Sequence, residues 1–119
     1  MSHGSDGSAV TGPLDAALAA RVAEVMQALA TPSRVRILSR LKDSPCSVGE
    51  IALTVGMEQS AVSHQLRILR HLGLVVGTRR GRQVVYALHD PHVGTLLEQA
   101  TFHVEHRRLA ADTLVEAAS

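Results

Sequence analysis

A mainly α-helical domain with one small β-hairpin is what this sequence predicts, on three observations. Apolar residues recur at helical spacing over most of the chain. The core must be built from Ala, Val, Leu and Ile, because the 119 residues include one Tyr, one Phe and no Trp. A single run, "LVVGTRRGRQVVYALHD", switches to strand formers punctuated by glycine. At this length one domain is expected, over residues 14–119. A flexible arm is expected before it, over residues 1–13, whose Gly, Ser, Asp and Pro have little to bury.

The elements follow in order. Residues 14–30 are Ala-rich, with Leu18, Val22, Val25, Met26 and Leu29 at helical spacing, and predict a first helix. In "TPSRVRILSRLKD" Thr31 is an N-cap, Pro32 takes the first helical position, and Val35, Ile37, Leu38 and Leu41 are apolar. "SVGEIALTVG" carries a capping box, Ser47 with Glu50, and stops at Gly56. After the short link "MEQ", "SAVSHQLRILRHLG" predicts a fourth helix with Val62, Leu66, Leu69 and Leu72 inward and Gly73 closing it. Two short helices joined by a tight turn make a helix-turn-helix. The strand-forming run reads as a hairpin with arginines at its tip. Asp90 and Pro91 then cap and open a last helix that reaches about residue 110 before the pattern becomes ambiguous.

Several classes are excluded at once. No apolar run approaches the ~18 residues of a membrane span, and "MSHGSDGSAVTGP" lacks the regions of a signal peptide, so a cytoplasmic protein with no membrane partner is expected. Cys46 stands alone, which rules out a disulfide within the chain and a cysteine zinc cage; any metal has to be held by His and carboxylate. The scarcity of aromatic rings argues against single-stranded nucleic acid, whose bases stack on them.

Charge points elsewhere. The net +1 hides a block over residues 59–89 with Arg67, Arg70, Arg79, Arg80, Arg82 and no acid, leaving −4 on the rest. A polyanion docking on one face fits that distribution. A helix-turn-helix followed by a basic hairpin is a winged helix-turn-helix in outline, the second helix entering the major groove of double-stranded DNA. Gln59, Ser60, Ser63, His64 and Arg67 lie near the N-terminal half of that helix, where base edges and phosphates would be met. Arg79, Arg80 and Arg82 would give phosphate or minor-groove contacts from the hairpin tip.

The run "DPHVGTLLEQATFHVEH" holds a second constellation, Asp90, His92, His103 and His106. At ~100° per residue, His92 and His103 return to within ~20° of one face, and His106 lies ~60° from His103. Yet eleven residues span ~16 Å, while metal–nitrogen bonds are ~2 Å, so one copy of the helix cannot close a site. A second, antiparallel copy would set Asp90 and His92 beside the other chain's His103 and His106. Val93, Leu96, Leu97, Ala100 and Val104 next to the stripe could form the seam of a homodimer. Without metal, Asp90 would still serve as an N-cap.

"ALATPSRVRIL", "GMEQSAVSHQLRILRHLGLVVG" and "GRQVVYALHD" resemble the ArsR/SmtB family of metal-sensing repressors over roughly residues 15–110. Within it, "MEQSAVSHQL", the D-P-H triplet and H-x-x-H are most similar to a nickel- and cobalt-sensing type. The resemblance implies a dimeric repressor that holds operator DNA without metal and releases it when the terminal-helix sites fill. It also implies that Asp90, His92, His103 and His106 are ligands, and that His3 and the amine of Ser2, once Met1 is removed, add two more. Six mostly nitrogen donors suit octahedral Ni(II) or Co(II), whereas the four helical donors alone suit tetrahedral Zn(II).

Two departures from the pattern matter. Arg108 stands where that type has a further histidine, and the tail lacks a later one. The Cys-x-Cys of the family's arsenic and cadmium sites is missing from "CSVGE", so Cys46 reads as a small buried residue. An enzyme is not expected, nor an organic substrate: no general base has a defined place beside these donors. A DNA-binding regulator with no metal effector is the remaining alternative.

Overall fold

The computed structural model describes residues 12–118. Five helices and three short strands follow one another as α1 (Ala16–Ala28), α2 (Pro32–Asp43), β1 (Cys46–Ser47), α3 (Val48–Val55), α4 (Gln59–His71), β2 (Val75–Arg80), β3 (Gln83–Leu88) and α5 (Pro91–Ala118). The strands form an antiparallel sheet in the order β1-β3-β2.

The caps explain where the helices begin. Asp15 Oδ1 accepts from the Leu18 N–H at 2.8 Å, so α1 starts two residues later than the apolar pattern does. It ends at Ala28 because Thr31 and Pro32 open the next helix, with Thr31 Oγ1 accepting from the Arg34 N–H at 3.3 Å. The capping box on α3 is complete: Glu50 Oε1 accepts from the Ser47 N–H at 2.8 Å, and Ser47 Oγ from the Glu50 N–H at 3.3 Å. Gly56, at φ +67°, ends α3 in the left-handed region as its position predicts.

The core collects Ile37, Leu38 and Leu41 from α2, Ile51, Ala52 and Val55 from α3, and Val62, Leu66 and Leu69 from α4, closed by Leu74 and Val75. Cys46 is buried with them, and burial pushes its thiol pKa up.

Three sequence expectations need correction, and one element was not foreseen. β1 has no counterpart in the sequence reading: two residues, Cys46 opposite Tyr86 and Ser47 opposite Val85, are too short to show a period. Leu72 is 37% exposed, because α4 has ended by that residue and the chain turns at Gly73. Val93 and Leu97, assigned to a seam between copies, are buried in the chain's own core, since α5 starts directly off β3 and lies against α2. And α5 does not stop near residue 110 but continues to Ala118.

Candidate nucleic-acid interface and metal centre

The two helices of the helix-turn-helix are fixed by groups at their ends. Besides Gly56, a residue the sequence reading overlooked seals α3: Arg36 Nη1 donates to the Val55 carbonyl at 2.9 Å and Nη2 to that of Thr54 at 3.4 Å. A cation on the last carbonyls of a helix satisfies orphan acceptors and meets the negative end of its dipole. Nothing in "PSRVRIL" marks Arg36 for this, because its partners lie on the next helix.

On α4 the side chains divide as expected. Val62, Leu66 and Leu69 are fully buried, while Gln59, Ser60, His64 and Arg67 are exposed and Ser63 is half-buried at the margin. The structure therefore brings the five sequence-predicted residues to the outward side of one helix, with Ser63 the least accessible.

The wing is a two-residue hairpin in which Arg80 pairs with Gln83 across Gly81 and Arg82. Gly81 has φ +63° and Arg82 does not share that sign, the pattern of a type II′ turn, whose twist matches antiparallel strands. Arg79, Arg80 and Arg82 are all exposed. Successive strand residues face opposite sides, so Arg79 and Arg80 do not form one patch but flank the tip.

On α5 the four candidate ligands are spread along the helix. Asp90 is half-buried and fully engaged: Oδ1 accepts from the His92 N–H at 2.9 Å, and Oδ2 lies 3.2 Å from His89 Nδ1. The His89 contact is the largest influence and holds its carboxyl below the usual carboxylate range against the opposing effect of burial, with the weaker backbone bond from His92 acting in the same direction as His89. His89 was not among the residues singled out from the sequence; adjacency to Asp90 was the only available signal. His92, His103 and His106 are exposed, and the last two border a hollow of about 420 Å³ with Gln99 and Phe102. The Phe102 and His106 rings stack with centroids 5.3 Å apart.

Among the described residues, no three His, Cys, Asp or Glu side chains come close enough to hold an ion within one chain. Three imidazoles and an ionised carboxylate are a donor set suited to Zn(II), Ni(II) or Co(II). Glu98 and Glu105 are occupied elsewhere, by Lys42 at 3.9 Å and Arg108 at 2.9 Å. Ser2 and His3 fall outside the described residues. No helix among those residues is long and apolar enough to cross a membrane.

Buried helix-turn-helix, arginine-tipped wing and outward polar face together define a winged helix-turn-helix regulator of transcription. The sequence profile described as "Bacterial regulatory protein, arsR family" matches residues 31–76. Over 110 residues, 92% of either chain, the sequence is 56% identical to the HTH-type transcriptional regulator NmtR of Mycobacterium tuberculosis. The chain belongs to the ArsR family: it is a metal-sensing transcriptional repressor of the ArsR/SmtB type and not an enzyme. The solution structure of apo-NmtR superposes with a TM-score of 0.69, covering 87% of this chain and 88% of that one. A homodimeric winged helix-turn-helix DNA-binding domain from Mycobacterium bovis, 31% identical, gives 0.72 over 82% of this chain and 93% of its own.

Proposed function

We propose that this protein is a homodimeric repressor that binds operator DNA through α4 and the wing and releases it in response to Ni(II) or Co(II). Gln59, Ser60, Ser63, His64 and Arg67 would meet base edges and phosphates in the major groove. Arg79, Arg80 and Arg82 would meet phosphates or the minor groove beside it. Work on the chromosome puts such a protein in the cytoplasm.

The observation that carries the sensing half is α5 itself. It is one continuous helix, Pro91–Ala118, with Asp90 and His92 at one end of a stripe and His103 and His106 at the other. Its outer apolar residues lie open, Phe102 at 62% and Val104 at 64% exposure. Two such helices running antiparallel would cover those residues and pair Asp90 and His92 of one subunit with His103 and His106 of the other, twice by symmetry. Ser2, through its amine, and His3 would complete six donors at each site.

The bound cation would supply positive charge and the bonds that join the two helix ends. His89 orients the Asp90 carboxylate, and a metal takes imidazole nitrogens only in their unprotonated form, so acid should weaken binding. Joining the α5 helices fixes the distance between the two α4 helices, which has to match sites about one DNA turn apart. The coupling acts equally in both directions, by a factor worth about 1–3 kcal/mol.

Zn(II) on the four α5 donors alone is the second reading, favoured by the tetrahedral count of that set. Operator binding followed by fluorescence anisotropy with Ni(II), Co(II) and Zn(II) in turn tests both. Ni(II) and Co(II) should release the DNA, and His92→Ala or His103→Ala should abolish that response. Intense tetrahedral Co(II) absorption bands that survive His3→Ala would favour the four-donor site. DNA affinity indifferent to every metal would remove the sensing half altogether.

A further inference from the structure

One guanidinium joins three helices. Arg34, in the first turn of α2, donates from Nε to Gln65 Oε1 on α4 at 2.7 Å, and its Nη1 reaches the Ala28 carbonyl at the end of α1 at 3.5 Å. Both contacts are half-buried, and the one to Gln65 links residues thirty-one positions apart, unlike the solvated pairs that exposed arginines usually make. Gln65 lies ~100° round α4 from the exposed His64 and ~60° from the buried Val62, on the flank between the two faces. A bond at that point resists rolling of the helix about its own axis. The other end of the link is equally placed: Ala28 is the one buried residue of α1, so the tie sits where α1 meets the body of the protein.

We propose that Arg34 is a positioning residue for DNA recognition, setting the roll of α4 relative to α1 without touching DNA. The inference rests on the operator-binding reading above. Side-chain tips stand about 5–6 Å from a helix axis, so a roll of about 10° displaces them by about 1 Å. Hydrogen bonds to base edges tolerate only a few tenths of an ångström, and phosphate attraction tolerates far more. Loss of the Arg34–Gln65 bond therefore reduces discrimination between sequences more than it reduces general affinity. Because the same guanidinium holds the end of α1, movement of α1 against its neighbours reaches the recognition helix through this bond.

The experiment uses full-length protein and a duplex that the wild type selects from a random-sequence pool, with an unrelated duplex as reference. Anisotropy titrations over a range of salt concentrations compare Arg34→Met, Gln65→Leu, the double variant and Gln65→Glu, with urea unfolding of each. Either single change is expected to weaken binding to the selected duplex about tenfold, as for loss of one charge-assisted bond, with an unchanged salt slope and little effect on the unrelated duplex. The double variant should be no weaker than the singles, and Gln65→Glu, which keeps the acceptor, should bind as the wild type does. A salt slope reduced by about one unit in Arg34→Met would mean a phosphate contact and overturn the proposal. So would wild-type selectivity in either single variant, additive losses in the double, or equal losses on both duplexes. If Arg34→Met does not fold, Gln65→Leu carries the same expectations alone. A wild type that selects no duplex defeats the operator-binding reading itself, a result distinct from failure of the Arg34 link.

Discussion

α4 and α5 are both amphipathic in sequence and both carry histidines, yet only α4 is finished within one chain. Its apolar row, Val62, Leu66 and Leu69, has no exposure at all, and its end is sealed. The Gly73 N–H donates to the Arg70 carbonyl at 3.0 Å and the Leu74 N–H to that of Leu69 at 2.9 Å, with Leu74 packed back into the core. That is a Schellman motif with its hydrophobic contact. In α5 the first two turns bury Val93 and Leu97, but from Glu98 to Val115 every side chain is exposed, Phe102, Leu109 and Leu114 among them. An apolar surface of that length is uncommon on a lone subunit. The difference teaches that the packing of α4 is complete in a single chain, whereas α5 leaves its apolar surface uncovered, as the proposed pairing of two copies would require.

Truncating each helix at a large apolar residue should break the comparison most visibly. Leu66→Ala removes a fully buried side chain from α4 and is expected to cost about 2–5 kcal/mol, read from urea unfolding at any protein concentration. Phe102→Ala on α5 should leave the subunit's own stability nearly unchanged and instead weaken self-association, read by sedimentation over a dilution series. Equal, concentration-independent losses from the two changes would mean that α5 is completed by its own chain.

A smaller effect is expected in the wing. Gly77 faces Tyr86 across the β2–β3 pair, and a Cβ there would lie 3.0 Å from Tyr86 Cε1 and from Val84 Cγ1. The ring lies over the space that glycine leaves. Gly77→Ala should therefore cost about 1–3 kcal/mol, the usual penalty of overpacking, and displace the arginines at the tip. A melting temperature equal to wild type, with unaltered DNA affinity, would show that the hairpin absorbs the methyl group.

Much of this was legible because it is local. The capping box of Ser47 and Glu50, the Gly56 stop, the Thr31–Pro32 start and the Gly81 turn are each written within a few residues, and the structure forms all of them. What the sequence could not show depends on distant partners. Arg36 seals α3 and Arg34 reaches Gln65 across nineteen and thirty-one positions, and no spacing rule links them. β1 exists only because β3 lies beside it. Val93 and Leu97 have the same spacing whether they face a second copy or their own core, so periodicity could not tell one packing from the other. The α5 stripe was legible as a pattern because helical geometry is local, whereas the site proposed on it would be closed only by another chain.

The smallest expected effect is a pH dependence that separates the same two regions. Glu50 caps α3 and Asp90 caps α5, and both carboxyls are held below the usual carboxylate range. For Glu50 the main cause is the bond it accepts from the Ser47 backbone, and for Asp90 it is the His89 ring. A carboxyl with a lower pKa folded than unfolded binds protons more readily in the unfolded chain. Its contribution to stability is therefore complete above the ordinary carboxylate pKa, near 4, and is lost as pH falls through the lowered folded value. Thermal unfolding between pH 7 and pH 3 should show the wild type losing stability over the acid limb, and Glu50→Gln should flatten part of that limb. Asp90→Asn should flatten another part and, unlike Glu50→Gln, also abolish the metal response at pH 7. If the two variants kept the wild-type acid limb unchanged, neither cap would be contributing through its charge; if both lost the metal response, the division between a finished α3–α4 unit and an unfinished α5 would not hold.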